Sequence, residues 1–66
     1  MSDRQLYRIP DAMVLLSLSR SVLYEELRSG RLRSVHVGRT RLIPATAITE
    51  YVALLEREAD ALRDVS

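Results

Sequence analysis

Hydrophobic side chains recur along this chain at spacings that predict two short helices near its N-terminus. Pro10 suits the first turn of a helix, and the apolar run after it predicts a first helix over about residues 10–16. Ser17-Leu18-Ser19 interrupts the pattern, and the Ser19 hydroxyl suits the N-cap of a second helix, which ends at Ser29-Gly30. The side chains of the second helix that are predicted to face the core are Val22, Leu23 and Leu27.

Residues 34–43, SVHVGRTRLI, predict a β-hairpin with a two-residue turn at Gly38-Arg39. The pairs that this turn creates are Val37 with Thr40, His36 with Arg41, and Val35 with Leu42. This register places the three apolar side chains on one face, predicted to close the core, and His36 and Arg41 on the other. Ile43 then falls on the polar face, which predicts a bulge or the end of the strand at that residue.

A third helix is predicted from about residue 45, after Pro44 ends the strand, to about residue 62. Its apolar side chains share one stripe, and most of its charged residues lie elsewhere. The stripe consists of Ile48, Tyr51, Val52, Leu55, Ala59 and Leu62. The predicted fold is therefore mainly α with a small β hairpin, in the order helix, tight turn, helix, hairpin, helix.

The composition predicts one small domain without disulfides or bound metal. The chain has 66 residues, 47% of them hydrophobic, no cysteine and one histidine, so a zinc site lacks donors and no cofactor is expected. The domain is predicted over residues 6–62 and opens on an extended segment at 6–9, with flexible ends at 1–5 and 63–66. No apolar run is long enough for a membrane span or a signal peptide, so a cytoplasmic location is expected.

Charge is distributed unevenly along the chain. Residues 1–44 carry eight arginines and four acids, a net +4, whereas residues 45–66 carry two arginines and five acids, a net −3. Residues 28–44 contain five arginines and no acid, which indicates a polyanionic partner on that side. All ten basic residues are arginine. A GC-rich genome accounts for that choice more simply than function does, so the placement of the arginines is more informative than their identity.

Two short helices, a tight turn and a basic hairpin together form a winged helix-turn-helix. Its second helix enters the DNA major groove, and the hairpin, or wing, reaches the backbone or the minor groove. Arg20 is the first candidate for a base contact, and Arg39 at the wing tip is the candidate for the minor groove. The predicted DNA contacts of the recognition helix are Ser19, Arg20, Ser21, Tyr24 and Arg28. Those of the wing are His36, Arg39, Thr40 and Arg41.

Several of these residues have a structural alternative. Arg28 can be a solvated surface charge, His36 a neutral surface residue, and Tyr24 a ring half-buried against the first helix. Glu25 and Glu26 oppose phosphate binding, because carboxylates repel it. Three arrangements remain open for them: a contact with cytosine, an ion pair with a neighbouring arginine, or orientation away from DNA.

Four blocks, at residues 19–24, 28–32, 35–41 and 43–44, make the segment 6–55 resemble the excisionase-type DNA-binding family. These are small winged helix-turn-helix proteins related to the MerR-type DNA-binding domain. Two positions depart from the family pattern. Ser17 stands where the interhelical turn commonly has glycine, and Glu25-Glu26 stands where a basic or apolar pair is usual.

The resemblance implies a non-catalytic recombination directionality factor of a phage or integrative element, associated with the nucleoid of a bacterial host. Such proteins bind repeated double-stranded sites beside an attachment site, often as several copies along the DNA, and bend it. The bent complex lets a tyrosine-family integrase excise the element. The third helix beyond about residue 56 is then the candidate contact for integrase or for a neighbouring copy.

Two other functions stay open. A small MerR-like transcriptional regulator would have the same fold and different DNA sites. A protein-interaction module would use the apolar stripe of the third helix, while its arginines were merely solvated. An enzyme is not expected, because the chain has neither an activated-nucleophile motif nor a phosphate-binding loop.

Overall fold

A computed structural model describes residues 4–65, which form three helices and one three-stranded antiparallel sheet. The elements are β1 (Leu6–Arg8), α1 (Ile9–Leu16), α2 (Arg20–Ser29), β2 (Val35–Val37), β3 (Thr40–Pro44) and α3 (Ala45–Val65). This order confirms the predicted winged helix-turn-helix. The extended segment that was expected before Pro10 forms an additional strand, β1, which pairs with β3.

The flexible ends predicted at residues 1–5 and 63–66 lie partly outside the described residues, which exclude 1–3 and 66. Their flexibility stays a prediction. Within the described chain α3 continues to Val65, past its predicted end near residue 62. Across residues 4–65 no helix combines the length and apolar character that crossing a membrane requires.

The turn between α1 and α2 is built by two serines. Ser17 adopts a left-handed conformation with φ of +56°, and its N–H donates to the Val14 carbonyl. That conformation costs a non-glycine residue roughly 1–2 kcal/mol. This cost explains why glycine is common at this turn in the family that the sequence resembles. Ser19 confirms its predicted role as N-cap of α2, since its Oγ accepts a hydrogen bond from the Val22 N–H at 3.3 Å.

The core lies where α1 and α3 pack on the sheet and α2 closes over them. Its buried side chains are Ile9, Ala12, Leu23, Leu27, Leu32, Ile43, Ala47 and Tyr51. Leu23 and Leu27 confirm the predicted core face of α2. The prediction for Val22 was wrong: it is 41% exposed, because it lies about 100° around the helix from Leu23.

The predicted hairpin register is confirmed at every pair. Val35 lies opposite Leu42, His36 opposite Arg41 and Val37 opposite Thr40. Gly38 opens the turn with φ of +63°, a conformation that suits glycine at this position of a two-residue turn.

The faces of the sheet are the reverse of those predicted. Tyr7 of β1 pairs with Ile43, and the pairing of β1 with β3 runs on regularly to Pro44, so no bulge intervenes. Ile43 is fully buried, whereas Val37 is 59% exposed. The reason is that α1 and α3 contact β3 on the face that carries Ile43, and the hairpin projects beyond them. Val35 and Val37 therefore do not close the core.

Candidate nucleic-acid interface

One flank of α2 presents most of the side chains predicted for the recognition helix. Arg20, Tyr24 and Arg28 follow one another at intervals of four residues, which places them in a row along the helix. Both arginines are exposed, and neither makes an ion pair within residues 4–65. Ser21 is exposed beside this row, and Ser19 precedes it as the cap. We define these five residues as the α2 flank.

Tyr24 is half-buried and packs against the core, as its alternative interpretation expected. Its hydroxyl makes no hydrogen bond within the described chain. The ring therefore contributes to packing while the hydroxyl stays available as a donor at the surface.

The wing places its four predicted contacts around the β2–β3 turn. His36, Arg39 and Thr40 are exposed, and Arg41 is half-buried with its Nε donating to Ser34 Oγ at 3.0 Å. His36 and Arg41 share a face, as predicted. That face continues the one that carries Ile43, so these side chains lie on the same side of the sheet as the helices.

Two arginines of the basic segment 28–44 are neutralised within the molecule. Both terminal nitrogens of Arg31 donate to Glu58, at 2.6 and 2.8 Å, and its Nε donates to Glu26 at 3.1 Å. Arg33 donates twice to Glu50 Oε1, at 2.7 and 3.0 Å. Part of the charge asymmetry seen in the sequence is thus satisfied by the acids of α3 and α2. The arginines of this segment that no carboxylate holds within the described chain are Arg28 on the α2 flank and Arg39 and Arg41 on the wing.

Glu26 belongs to a polar cluster that joins α2 to α3. The Tyr51 hydroxyl donates to Glu26 Oε2 at 2.5 Å, and Arg31 bridges Glu26 to Glu58. Among the arrangements open for the two glutamates, Glu26 adopts the ion pair with a neighbouring arginine. Glu25 is exposed and unpaired within residues 4–65. The cluster was not predicted, because contacts 25 and 27 residues apart leave no local signal.

The cluster shifts the pKa values of its members. The hydrogen bond from Tyr51, together with Arg31, holds the pKa of Glu26 below its ordinary value. Burial and then the neighbouring Glu26 raise the pKa of Tyr51 to about 12. The hydrogen bonds from Arg31 lower the pKa of Glu58. Each shift favours the protonation states that the hydrogen bonds require.

Tyr51→Phe is expected to lower the free energy of unfolding by about 1–2 kcal/mol, because it removes the hydroxyl that donates to a carboxylate. Urea unfolding followed by circular dichroism measures the change. Tyr24→Phe is the matched control, since the Tyr24 hydroxyl makes no hydrogen bond in the described chain. Equal losses in the two variants would show that the cluster does not stabilise the domain.

The stability of the domain is expected to fall as the pH drops below about 4.5, the ordinary pKa of both glutamates. The folded state holds these pKa values low, so the unfolded state binds protons first and the stabilisation is lost on acidification. Urea midpoints measured across this range check the effect. Glu26→Gln should flatten the profile, and Glu25→Gln, which removes a neighbouring carboxylate with no ion pair in residues 4–65, is the matched control. Equal flattening by the two variants would show that the cluster does not cause the pH dependence.

The α2 flank and the wing carry groups that can bind a polyanion. Exposed guanidinium groups, a serine-capped helix N-terminus and a basic hairpin are donors for phosphate oxygens and base edges. In the part of the chain that the structure describes, no group of three or more histidine, cysteine or carboxylate side chains is placed to hold a metal.

Comparison with known proteins relates the chain to a helix-turn-helix family and to two proteins named as excisionases. Residues 6–53 match the family model described as "Helix-turn-helix domain". A "Probable excisionase" of Saccharopolyspora erythraea is 39% identical over 59 residues, covering 89% of this chain and 60% of that protein. An "Excisionase" of Streptomyces ambofaciens is 29% identical over 48 residues, covering 73% of this chain and 77% of that protein. The chain thus spans about three-fifths of the length of the first relative. No solved structure matches it.

Proposed function

Since this chain belongs to the helix-turn-helix domain family, we propose that it is a non-catalytic, sequence-specific DNA-binding excisionase. Two relatives named excisionase support the proposal, and their name agrees with the family that segment 6–55 resembles. On this proposal it binds double-stranded DNA beside an attachment site. It bends the DNA there and directs a tyrosine-family integrase toward excision. Other copies of the chain and the integrase are its proposed partners.

The distribution of unpaired arginines carries the proposal. Arg20, Arg28 and Arg39 are exposed and make no ion pair within residues 4–65, while Arg31 and Arg33 of the same region are held by carboxylates. Exposed guanidinium groups without internal partners are the ones that can displace counterions from phosphate. Arg20, Arg28 and Arg39 lie on the two elements that this fold presents to DNA.

The α2 flank is proposed to enter the major groove, with Arg20 on base edges and Ser19, Ser21 and Arg28 on phosphates. Tyr24 would donate its free hydroxyl to a phosphate. On the wing, Arg39 is proposed to enter the minor groove, with His36, Thr40 and Arg41 on the backbone. A domain of this size makes few base contacts, so several copies or easily deformed DNA would supply the remaining specificity.

Arg39→Ala and Arg41→Ala are each expected to weaken binding to any DNA sequence, because each removes a positive charge from the part of the wing proposed to lie against DNA. The slope of log affinity against log salt should become shallower by about one unit per variant. Fluorescence anisotropy at several salt concentrations measures it. Arg33→Ala is the matched control, since Glu50 already neutralises that side chain. A slope unchanged by Arg39→Ala would remove the wing from the interface.

Footprinting over the attachment region of the element that carries the gene, with and without its integrase, tests the proposed function. The expected result is protection of repeated sites beside the attachment site, changed by integrase. Protection confined to a promoter would indicate the transcriptional regulator instead. Equal binding to random DNA, or none, would reject sequence-specific binding altogether.

A further inference from the structure

α3 carries an apolar seam that lies mostly outside the domain core. We define the seam as Ala45, Ile48, Val52, Leu55, Ala59 and Leu62, which follow one another at alternating intervals of three and four residues. That period of 3.5 is typical of helices that pair along their length. The core takes Ala47 and Tyr51 from a neighbouring face of α3, and of the seam only Ile48 packs against it. Val52, Leu55 and Leu62 are exposed, Leu62 to 74%.

The two ends of the seam differ in a complementary way. From residue 59 to 63 every side chain of α3 is exposed, so Leu62 projects into solvent. At the N-terminal end of α3, α1 and α3 border an open groove of about 260 Å³. Leu15, Ala45, Ile48 and Val52 contribute to its lining. A projecting leucine and an apolar groove therefore lie at opposite ends of one helix.

We propose that two copies of the chain pair antiparallel along this seam, each inserting Leu62 into the groove of the other. In this register Leu62 lies opposite Ala45 of the second copy, Ala59 opposite Ile48, and Leu55 opposite Val52. The pairs Leu62–Ala45 and Ala59–Ile48 thus each place a large side chain against a small one, which fills the space between the helices as close packing requires. A two-fold axis makes every contact occur twice.

Charge and size both distinguish this register from its alternatives. If the register shifted by one heptad, Glu56 of one copy would lie beside Glu56 of the other and the two carboxylates would repel. In the proposed register Glu56 of one copy lies beside Thr49 of the other. A parallel pair in register would place Ala45 and Ala59 against themselves and leave gaps in two layers. Antiparallel pairing also places the two helix macrodipoles side by side in opposite directions, in which arrangement they attract each other.

Sedimentation analysis of the full chain without DNA tests the proposal, with a dimer expected at twice the 7.5 kDa chain mass. Leu62→Glu should weaken self-association by about tenfold or more, because it buries a charge in the seam. Its circular dichroism should be unchanged, since Leu62 is exposed in the monomer. Ala61→Glu, the adjacent exposed residue outside the seam, is the matched control and should still dimerise. A wild-type chain that stays monomeric, or a dimer that survives Leu62→Glu, would overturn the proposal.

Disulfide cross-linking tests the orientation, because the chain has no cysteine of its own. The double variant Ala45→Cys with Leu62→Cys should form covalent dimers under oxidation, whereas Leu62→Cys alone should not. Efficient cross-linking of the single variant would indicate a parallel pair and reject the antiparallel one. These measurements contain no DNA, so the outcome is independent of the proposed excisionase function.

Discussion

Ile43→Ala is expected to leave most of the protein unfolded at room temperature. Ile43 is fully buried at the centre of the sheet, and truncating such a side chain typically costs about 2–5 kcal/mol. A core of this size rarely supplies more than about 3–5 kcal/mol in total, so the loss matches the whole stability. Circular dichroism during urea unfolding measures it. The milder Ile43→Val, at about 0.5–1.5 kcal/mol, keeps the transition measurable.

The matched control lies on the opposite face of the sheet. Val37 belongs to the face that the alternation pattern predicted to be buried, yet it is 59% exposed. Val37→Ala should therefore change the free energy of unfolding by less than about 0.5 kcal/mol. If the cost of truncating Val37 exceeded that of truncating Ile43, the faces of the sheet would be as the alternation pattern predicted.

Features that a few neighbouring residues determine were predictable from the sequence. The cap at Ser19, the helix end at Gly30 and the register of the hairpin each depend on local hydrogen bonding or on a positive φ. A two-residue turn leaves only one register for its strands, so the pairs followed once Gly38 had been placed. These local elements then determined the order of the fold.

Features that depend on distant partners were not predictable. Alternation shows which side chains share a face of a strand but not which face the helices will cover. β1, far away in sequence, pairs with β3 and extends it past Ile43, and that pairing removes the predicted bulge. Likewise, Arg31 looks like its basic neighbours in the sequence. Only the return of α3 brings Glu58 within 2.6 Å and withdraws that charge from the surface.

Ion pairing within the molecule also decides how the arginines rank as DNA contacts. An arginine already held by a carboxylate must break that ion pair before it can bind phosphate, whereas an unpaired one loses only solvent. Arg31 and Arg33, which were not predicted to contact DNA, are therefore weaker phosphate ligands than Arg20, Arg28 and Arg39, the candidates unpaired in the described chain. Within that set only Arg20 lies in the first turn of α2, where recognition helices meet base edges.

Arg20→Ala is expected to weaken binding to the specific site by about 1–3 kcal/mol, the range for a guanidinium that contacts guanine through two hydrogen bonds. Arg20 is exposed and unpaired within residues 4–65, so the free energy of unfolding should be unchanged. Anisotropy titrations on the specific site and on random DNA, at one salt concentration, measure the effect. The loss should be larger on the specific site, because only base contacts depend on sequence.

Two further variants separate a base contact at Arg20 from general charge. Arg20→Lys keeps the charge but cannot donate two parallel hydrogen bonds, so it should restore affinity for random DNA and not for the specific site. Arg57→Ala removes another exposed arginine, from α3 outside the proposed interface, and should leave both affinities close to those of the parent chain. If Arg20→Ala lowered binding to both DNAs equally and lysine restored both, Arg20 would contact phosphate, and specificity would have to come from the other residues of the α2 flank.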